Sequence, residues 1–297
     1  MVTHSIGHDR PAGQPSPLTS LKRSKLLFDA LSIAITIFAV VFAMAPIVWT
    51  LLTSFKLESD IVSSTLHYLP QEITFQNYLT LWQRTDYPRL LMNSAIVTVM
   101  TVAMSLTIGT LASYSISRYR FRGRGGLMLF YLVIRMFPFT LLLIPLFIML
   151  RNLGLFDSYF GLALTYTTFL LPLCVWMLKG FFDAIPPDLE EASRVDGSTR
   201  LGALVKIVLP LARPGIAATT VFAAIGAWNE YLWALLLTTA DGARTWPVGL
   251  QLMVGEFQMP WGTLSASGII SIIPIMIGFA FVQRALVSGL VTGGVKG

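Results

Sequence analysis

Charged residues and cysteine are scarce in this sequence, and each shortage excludes a class of protein. Only 12% of the 297 residues are charged, whereas 55% are hydrophobic. So few charges in so apolar a chain exclude an ordinary soluble domain and indicate a polytopic membrane protein. The one cysteine, Cys174, lies in an apolar run, so the sequence offers neither an intrachain disulfide nor a cysteine-based metal cluster.

Histidines and nucleotide-binding motifs are also few. His4, His8 and His67 all lie outside the apolar stretches, which excludes a histidine proton relay in the membrane and a histidine metal cluster. The glycine-rich residues 289–297 carry Val295 where a phosphate-binding loop needs lysine. We therefore expect no catalytic residue, no metal site and no enzymatic activity in this chain.

Six apolar stretches are present, and each approaches or exceeds the roughly 20 helical residues that cross a bilayer. They are residues 30–54, 90–117, 125–150, 158–178, 214–240 and 264–283. The third contains only Arg135 as a charged residue, and the fifth only Glu230. The predicted fold class is therefore all-α, a polytopic membrane protein with six transmembrane helices within residues 25–297. Residues 1–24 are polar and proline-rich, which predicts a disordered cytoplasmic tail.

Lysine and arginine are distributed unevenly between the two sides of these stretches. If the N-terminus is cytoplasmic, most of the 21 lysines and arginines fall in the inner segments. The positive-inside rule therefore predicts that both termini are cytoplasmic. The run Arg118, Arg120, Arg122 and Arg124 is interpreted as part of this topology signal, and a site for anionic lipid is the alternative. No acidic residue lies near this run in the sequence, so we expect no specific ion-pair network there.

The polar segment at 186–210, between the fourth and fifth stretches, has the start and stop signals of two short helices. Asp188, Glu190 and Glu191 fall in a first turn, where the helix dipole favours negative charge. Gly197 suits the end of that helix, and Ser198 can cap the next one. The pattern predicts a helix, a sharp elbow and a second helix. A rigid protruding segment of this kind can dock into a cleft of another protein.

The same segment resembles the EAA loop in the membrane subunits of ABC importers. That loop reads Glu-Ala-Ala, two further residues, Asp-Gly, and later Ile-x-Leu-Pro. The matching residues are Glu191, Ala192, Ser193, Asp196, Gly197 and 207–210, with serine in place of the second alanine. The resemblance implies coupling to an ATPase through Glu190, Glu191, Ala192, Ser193, Asp196 and Gly197. It covers nearly the whole chain after the tail and implies the type I ABC importer transmembrane fold, with a core at about residues 90–285.

Two ionisable residues within apolar stretches are candidates for function, because a charge is costly in lipid. Arg135 and Glu230 either line a substrate pathway or form a structural pair with each other. Aromatic and amide side chains surround Glu230, and such groups suit the apolar faces and hydroxyls of sugar rings. The runs 136–138 and 228–234 resemble third- and fifth-span motifs of sugar permeases. The candidate pathway residues are Arg135, Met136, Phe137, Trp228, Asn229, Glu230, Tyr231 and Trp233.

The last outer segment, 241–263, is rich in aromatic residues. Trp246, Phe257 and Trp261 are interpreted either as an interfacial belt, which tryptophan favours, or as contacts with an external binding protein. The two interpretations are compatible. The second is the one that the resemblance to sugar permeases implies.

The sequence thus resembles the sugar-permease family typified by the smaller membrane subunit of the maltose importer. The resemblance implies a permease subunit of an ATP-driven importer of a disaccharide, oligosaccharide or related polyol, in a bacterial or archaeal inner membrane. Its implied partners are a second permease subunit, two ATPase subunits, an external solute-binding protein and membrane lipid, but no nucleic acid. ATP and Mg²⁺ are expected on the ATPase, and no cofactor on this chain. The alternatives are an ion-coupled secondary sugar carrier, a membrane scaffold, and an ABC importer of glycerol phosphate.

Overall fold

The structure is a computed structural model that describes residues 17–65, 67–134, 136–239, 242–254 and 259–293. All regular secondary structure in these ranges is helical. The first half of the chain contains α1 (Pro17–Ser54), α2 (Glu58–Ile61), α3 (Gln76–Gln83), α4 (Tyr87–Arg118), α5 (Arg124–Ile134), a 3-10 turn (Phe139–Leu142) and α6 (Leu143–Asn152). The second half contains α7 (Tyr159–Asp183), α8 (Asp188–Val195), α9 (Arg200–Ala203), a π turn (Leu204–Val208), α10 (Leu209–Leu211), α11 (Arg213–Trp228), α12 (Leu232–Leu237), α13 (Trp246–Leu252) and α14 (Trp261–Gly293).

Four described helices are long and apolar enough to cross a membrane. They are Phe28–Ser54, Tyr87–Arg118, Tyr159–Asp183 and Trp261–Gln283. Two further helix pairs are sharply bent, Arg124–Ile134 with Phe139–Asn152 by 89° and Arg200–Leu211 with Arg213–Trp228 by 80°. The predicted number of six spans is reached when each bent pair counts as one span, but the second pair covers 200–228 and not the predicted stretch 214–240.

Both predicted stretches that contain an ionisable residue are interrupted. The third breaks between α5 and the 3-10 turn, where Pro138 has no N–H to donate to a helix. Arg135 belongs to this interval but lies outside the described residues. The fifth is predicted to run to residue 240, but α11 ends at Trp228 and α12 begins at Leu232. A continuous fifth helix is therefore wrong, and Glu230 lies in a break between two helices.

The chain divides into two units, Met1–Leu52 and Thr53–Gly297. In the first, α1 already begins at Pro17, so the predicted boundary of the tail at residue 24 falls inside a helix. Proline suits the first position of a helix, and the leucines and lysines that follow are good helix formers. Residues 1–16 lie outside the described part of the chain.

Helices α4 and α7 form the centre of the second unit, and α11 packs against both of them and against α14. Small residues allow the central pair to approach closely. Thr101 and Ser105 are fully buried on α4, and a Cβ at Gly109 would lie only 3.3 Å from the Cβ of Cys174 on α7. Close packing through small side chains is what helices use where lipid surrounds them. This pair therefore provides a firm base for the segments at its two ends.

Candidate functional site

The segment between α7 and α11 folds into an elbow, here residues 186–211, that begins with α8. Its first turn carries Asp188, Glu190 and Glu191, as predicted. The backbone N–H of Gly197 donates to the carbonyl of Arg194 at 3.0 Å, and that of Ser198 donates to the carbonyl of Ser193 at 3.0 Å. With φ of 88° at Gly197, these two bonds form a Schellman motif. The predicted end of the first helix at Gly197 is confirmed.

The second helix of the elbow starts one residue later than predicted. Thr199, not Ser198, is its cap, and its hydroxyl oxygen accepts the N–H of Gly202 at 3.0 Å. The prediction of Ser198 is wrong by one residue, because Thr199 is the residue with the extended backbone of a cap, whereas Ser198 completes the motif that ends α8. Helix α9 then continues through the π turn into α10 and reaches α11.

Most of the predicted coupling residues lie on the outward surface of α8. Glu191, Ala192, Asp196 and Gly197 are exposed, and Ser193 is half-buried. Their apolar neighbours Leu189 and Val195 are also exposed, and Val195 retains 88% of its accessible surface. We call this face, with its acidic and apolar side chains, the docking face.

Glu190 is the exception among these candidates, because it is buried against the bundle. Its carboxylate accepts a hydrogen bond from the Tyr114 hydroxyl at 2.8 Å and forms an ion pair with Arg118. The Arg118 guanidinium also donates to the carbonyl of Ile185 at 3.0 Å. Glu190 therefore joins α8 to the end of α4 and does not belong to the docking face.

The expectation that the arginine run lacks acidic partners is also wrong. Arg118 pairs with Glu190, and a guanidinium nitrogen of Arg124 lies 4.0 Å from a carboxylate oxygen of Asp183. Asp183 additionally accepts the Ser117 hydroxyl at 2.6 Å and pairs with Lys179 on its own helix. Both acids are more than 55 residues away in the sequence, so only the folded chain brings them to the arginines.

The predicted pathway residues of the third span lie at a helix break and are exposed. Met136 and Phe137 precede the 3-10 turn, whereas Arg135 lies outside the described residues. The next aromatic residue, Phe139, is the one that packs inward, with its ring centroid 4.6 Å from that of Phe169. Phe169 in turn stacks on Trp233 at 4.8 Å. The two broken spans are therefore linked by Phe139 and Phe169, which no sequence motif distinguishes from the other aromatic residues of the spans.

Glu230 stabilises the break in the fifth span. Its carboxylate accepts the backbone N–H of Trp233 at 3.1 Å and that of Ala234 at 3.2 Å, so it caps the first turn of α12. Asn229, which follows the last residue of α11, is exposed, and Tyr231 is half-buried. A structural role for Glu230 thus has a partner other than Arg135.

The three tryptophans near this break are bound into the bundle to different degrees. Trp228 and Trp233 are buried, and the indole N–H of Trp228 donates to the carbonyl of Ser271 at 3.1 Å. The indole of Trp246 donates to the carbonyl of Trp228 at 3.0 Å. Buried indoles that donate to backbone carbonyls have packing roles. Trp228 and Trp233 therefore support the break and are poorly placed to line an open pathway.

Of the residues predicted to contact a binding protein, Trp246 is packed in the bundle and Trp261 is exposed. Trp246 begins α13, its backbone N–H donates to the Ser94 hydroxyl at 2.8 Å, and α13 packs against α4. Trp246 is thus part of the bundle, because the segment predicted as a loop forms a packed helix. Trp261 is exposed at the start of α14, and Phe257 lies outside the described residues.

Polar side chains that the sequence analysis missed fasten the segment before α13. Asp157 accepts the backbone N–H groups of Thr239 at 2.8 Å and Ala243 at 3.2 Å. Asn93 donates to the carbonyls of Gly242 at 3.1 Å and Arg244 at 2.8 Å. Asp157 has a φ of 55°, a conformation that aspartate tolerates better than most residues. This end of the bundle therefore has a fixed backbone frame.

Comparison with known proteins identifies the family. Residues 105–291 match the family described as binding-protein-dependent transport system inner membrane component. The chain belongs to this family, and it is a transport permease, not an enzyme. The predicted family, the all-α fold and the function as an ABC importer permease are thereby confirmed.

Several similar proteins are sugar permeases. The chain is 38% identical to the sulfoquinovosyl glycerol transport system permease protein SmoH of Agrobacterium fabrum, over 85% of this chain and 88% of that protein. It is 37% identical to the trehalose transport system permease protein SugB of Mycobacterium tuberculosis, over 86% and 93%. It is 35% identical to the trehalose/maltose transport system permease protein MalG of Thermococcus litoralis, over 93% and 98%.

A solved structure supports the same class. A chain of a bacterial ABC transporter involved in the import of the acidic polysaccharide alginate superimposes with a TM-score of 0.75. The two are 26% identical, and the alignment covers 88% of this chain and 97% of the other. A second alginate transporter structure, in complex with a pentasaccharide-bound periplasmic protein, shares the fold at 18% identity and a TM-score of 0.65.

Proposed function

We propose that this chain forms, with a second and different permease subunit, the translocation pathway of an ATP-driven importer of a disaccharide, oligosaccharide or related polyol. The observation that carries the proposal is the elbow, which presents an exposed docking face on a short, capped helix. Relatives that transport trehalose and sulfoquinovosyl glycerol support a sugar as the substrate class. Two ATPase subunits and an external solute-binding protein complete the proposed complex.

The docking face is the proposed contact with the ATPase. Glu191 and Asp196 provide negative charge, Ala192, Ser193 and Gly197 leave room for close approach, and Leu189 and Val195 provide apolar area. ATP and Mg²⁺ bind to the ATPase in this proposal, and closure of its dimer moves the elbow. The motion then opens the spans outward to receive the sugar, and hydrolysis resets them inward.

The proposed orientation has both termini and the elbow in the cytoplasm of a bacterial or archaeal cell. Lysine and arginine are concentrated on that side, and α8 must lie there to meet an intracellular ATPase. The frame held by Asp157 and Asn93 then faces outward. Trp261 and Phe257 are the proposed contacts with the external binding protein, and Trp246 fixes the helix between them and the frame.

The proposed sugar route passes the two helix breaks. Asn229 and Tyr231 offer an amide and a phenol beside the break in the fifth span, and Met136 and Phe137 are exposed at the break in the third. Non-helical backbone at membrane depth is tolerated where it lines a cavity or is buried in protein. Arg135 remains a proposed pathway residue. Glu230 affects the route indirectly, because its carboxylate caps the first turn of α12 and so maintains the break in the fifth span.

An ion-coupled secondary carrier accounts for the spans but not for the elbow, because such a carrier does not bind an ATPase. Such carriers commonly contain internal repeats, and this sequence has no evident internal repeat. Family membership and the docking face both favour the ATP-driven importer.

Purification of the assembled complex tests the proposal. We expect an ATPase, a second permease subunit and an external binding protein to co-purify with this chain, and mass spectrometry of the binding protein to identify a sugar. The matched control is Glu191→Ala with Gly197→Asp, which should lose the ATPase while the spans still insert. Glycerol phosphate in the binding protein would refute the sugar, and an ATPase retained equally by the control would refute docking through α8.

A further inference from the structure

We propose that Glu190 is a positioning residue that, with Arg118 and Tyr114, locks the coupling helix α8 to the end of α4, so that the two move as one body. The proposal rests on the proposed function, in which α8 docks to the ATPase. It separates two tasks on one short helix. Exposed residues such as Glu191 bind the partner, and the buried Glu190 transmits the displacement to the membrane spans.

The contacts converge on one point of the bundle. Arg118 is the last residue of α4, and its guanidinium reaches both the Glu190 carboxylate and the carbonyl of Ile185, the residue just before the elbow. The Tyr114 hydroxyl donates to the other oxygen of the same carboxylate at 2.8 Å. The Tyr114 ring also packs edge-on against Phe182, near the end of α7, with centroids 6.4 Å apart. Helices α4, α7 and α8 are therefore joined at this position, which we call the lock.

Helix α8 needs such a lock to transmit force. It has eight residues, and an isolated helix of this length is unstable in water. Its other end leads through a left-handed glycine into a four-residue helix and a π turn. That connection is held to the bundle by apolar packing, because Leu204 and Val208 are buried in one cluster with Tyr114 and Phe182. The bonds from Tyr114 and Arg118 to Glu190 add a charged, directional attachment of α8 itself to the 32-residue α4.

The ion pair in the lock is shorter and less exposed to solvent than the neighbouring pair between Arg124 and Asp183. The Arg118 and Glu190 side chains are only 12% and 9% exposed, so solvent screens their attraction weakly. The Arg124–Asp183 pair is looser, at 4.0 Å, with side chains 32% and 39% exposed. Lys179 also pairs with Asp183, but both residues belong to α7, so that contact joins no second helix to α8. The Lys179 pair is therefore a matched control at the same end of the bundle.

The test compares variants of the complete complex in proteoliposomes, at a temperature below the melting point of each. Glu190→Gln removes the charge and keeps the shape, Tyr114→Phe removes one hydrogen bond, Lys179→Gln is the control, and Glu191→Ala weakens docking. For each variant we would measure ATPase recruitment, ATP hydrolysis stimulated by the loaded binding protein, and sugar transported per ATP. A lock predicts normal recruitment in the Glu190 and Tyr114 variants but fewer sugars per ATP.

The expected fall in sugar per ATP is about five- to tenfold for Glu190→Gln, which lies within the usual range of coupling between distant sites. Tyr114→Phe should show a smaller fall, and Lys179→Gln none. A wild-type ratio in Glu190→Gln, or a loss of recruitment equal to that of Glu191→Ala, would overturn the lock. Full recruitment in Glu191→Ala, by contrast, would overturn docking through α8, and the lock with it.

Discussion

Gly197 sets the turn between α8 and α9, and its conformation predicts an order among substitutions. Its φ of 88° lies in the left-handed region, and a Cβ added there would meet nothing within 4 Å. The cost of a side chain is therefore a backbone cost, not a clash. For alanine that cost is about 1–2 kcal/mol. Asparagine tolerates this conformation better, and valine, which is β-branched, tolerates it worse.

The backbone cost at position 197 also predicts how tightly the ATPase binds to the elbow. A penalty of about 1–2 kcal/mol lowers the ratio of formed to distorted elbow by roughly five- to thirtyfold. If the ATPase binds only the formed elbow, the dissociation constant rises once the distorted form predominates. We therefore expect affinity to decrease in the order glycine, asparagine, alanine, valine at position 197.

The assay is a binding titration of the purified ATPase to the permease pair in nanodiscs. Thermal unfolding of the spans in the same nanodiscs is the control, and it should not change, because Gly197 is exposed and an added Cβ meets no atom of the bundle. Equal affinities for glycine and valine would show that the elbow is not the docking element. Asparagine as weak as valine would show that the left-handed conformation is not what matters.

Three further changes probe the bundle itself. Glu230→Ala removes the acceptor that caps α12 and should destabilise the protein by about 1 kcal/mol. Thermal unfolding in nanodiscs measures this change, and an unchanged melting point would contradict the capping role. Gly161→Ala should prevent folding or lower the melting point strongly, because its Cβ would lie 2.0 Å from the Leu155 carbonyl oxygen, whereas Gly180→Ala on the same helix meets nothing and should be tolerated. Asp157→Ala should free the segment after α12 and weaken stimulation of the ATPase by the binding protein; full stimulation would count against the outward frame.

The elements that could be predicted from the sequence are those fixed by local chemistry. Apolar length identified the spans, since a bilayer requires it. The acidic first turn and Gly197 identified α8, since dipole, cap and left-handed glycine act within a few residues. Pro138 likewise accompanies the break in the third span. The break at Glu230 has no proline, and it depends on a carboxylate folding back onto backbone N–H groups.

The direction of Glu190 could not be predicted, because it depends on residues far along the chain. Local spacing placed Glu190 and Glu191 side by side in one turn, with nothing to distinguish them. Arg118 is 72 residues away, and only the packing of α4 against α7 brings it under α8. The same limitation applies to Trp246, whose aromatic surroundings resemble a membrane interface until Ser94 and the carbonyl of Trp228 fix it in the bundle.

Sugar uptake by the reconstituted complex tests the central claim most directly. Proteoliposomes would contain this chain, its partner permease and the ATPase, with the loaded binding protein outside and nucleotide inside. We predict uptake with ATP and none with a non-hydrolysable analogue or without the binding protein. Uptake that continues without hydrolysis and follows an ion gradient would contradict the account and favour a secondary carrier.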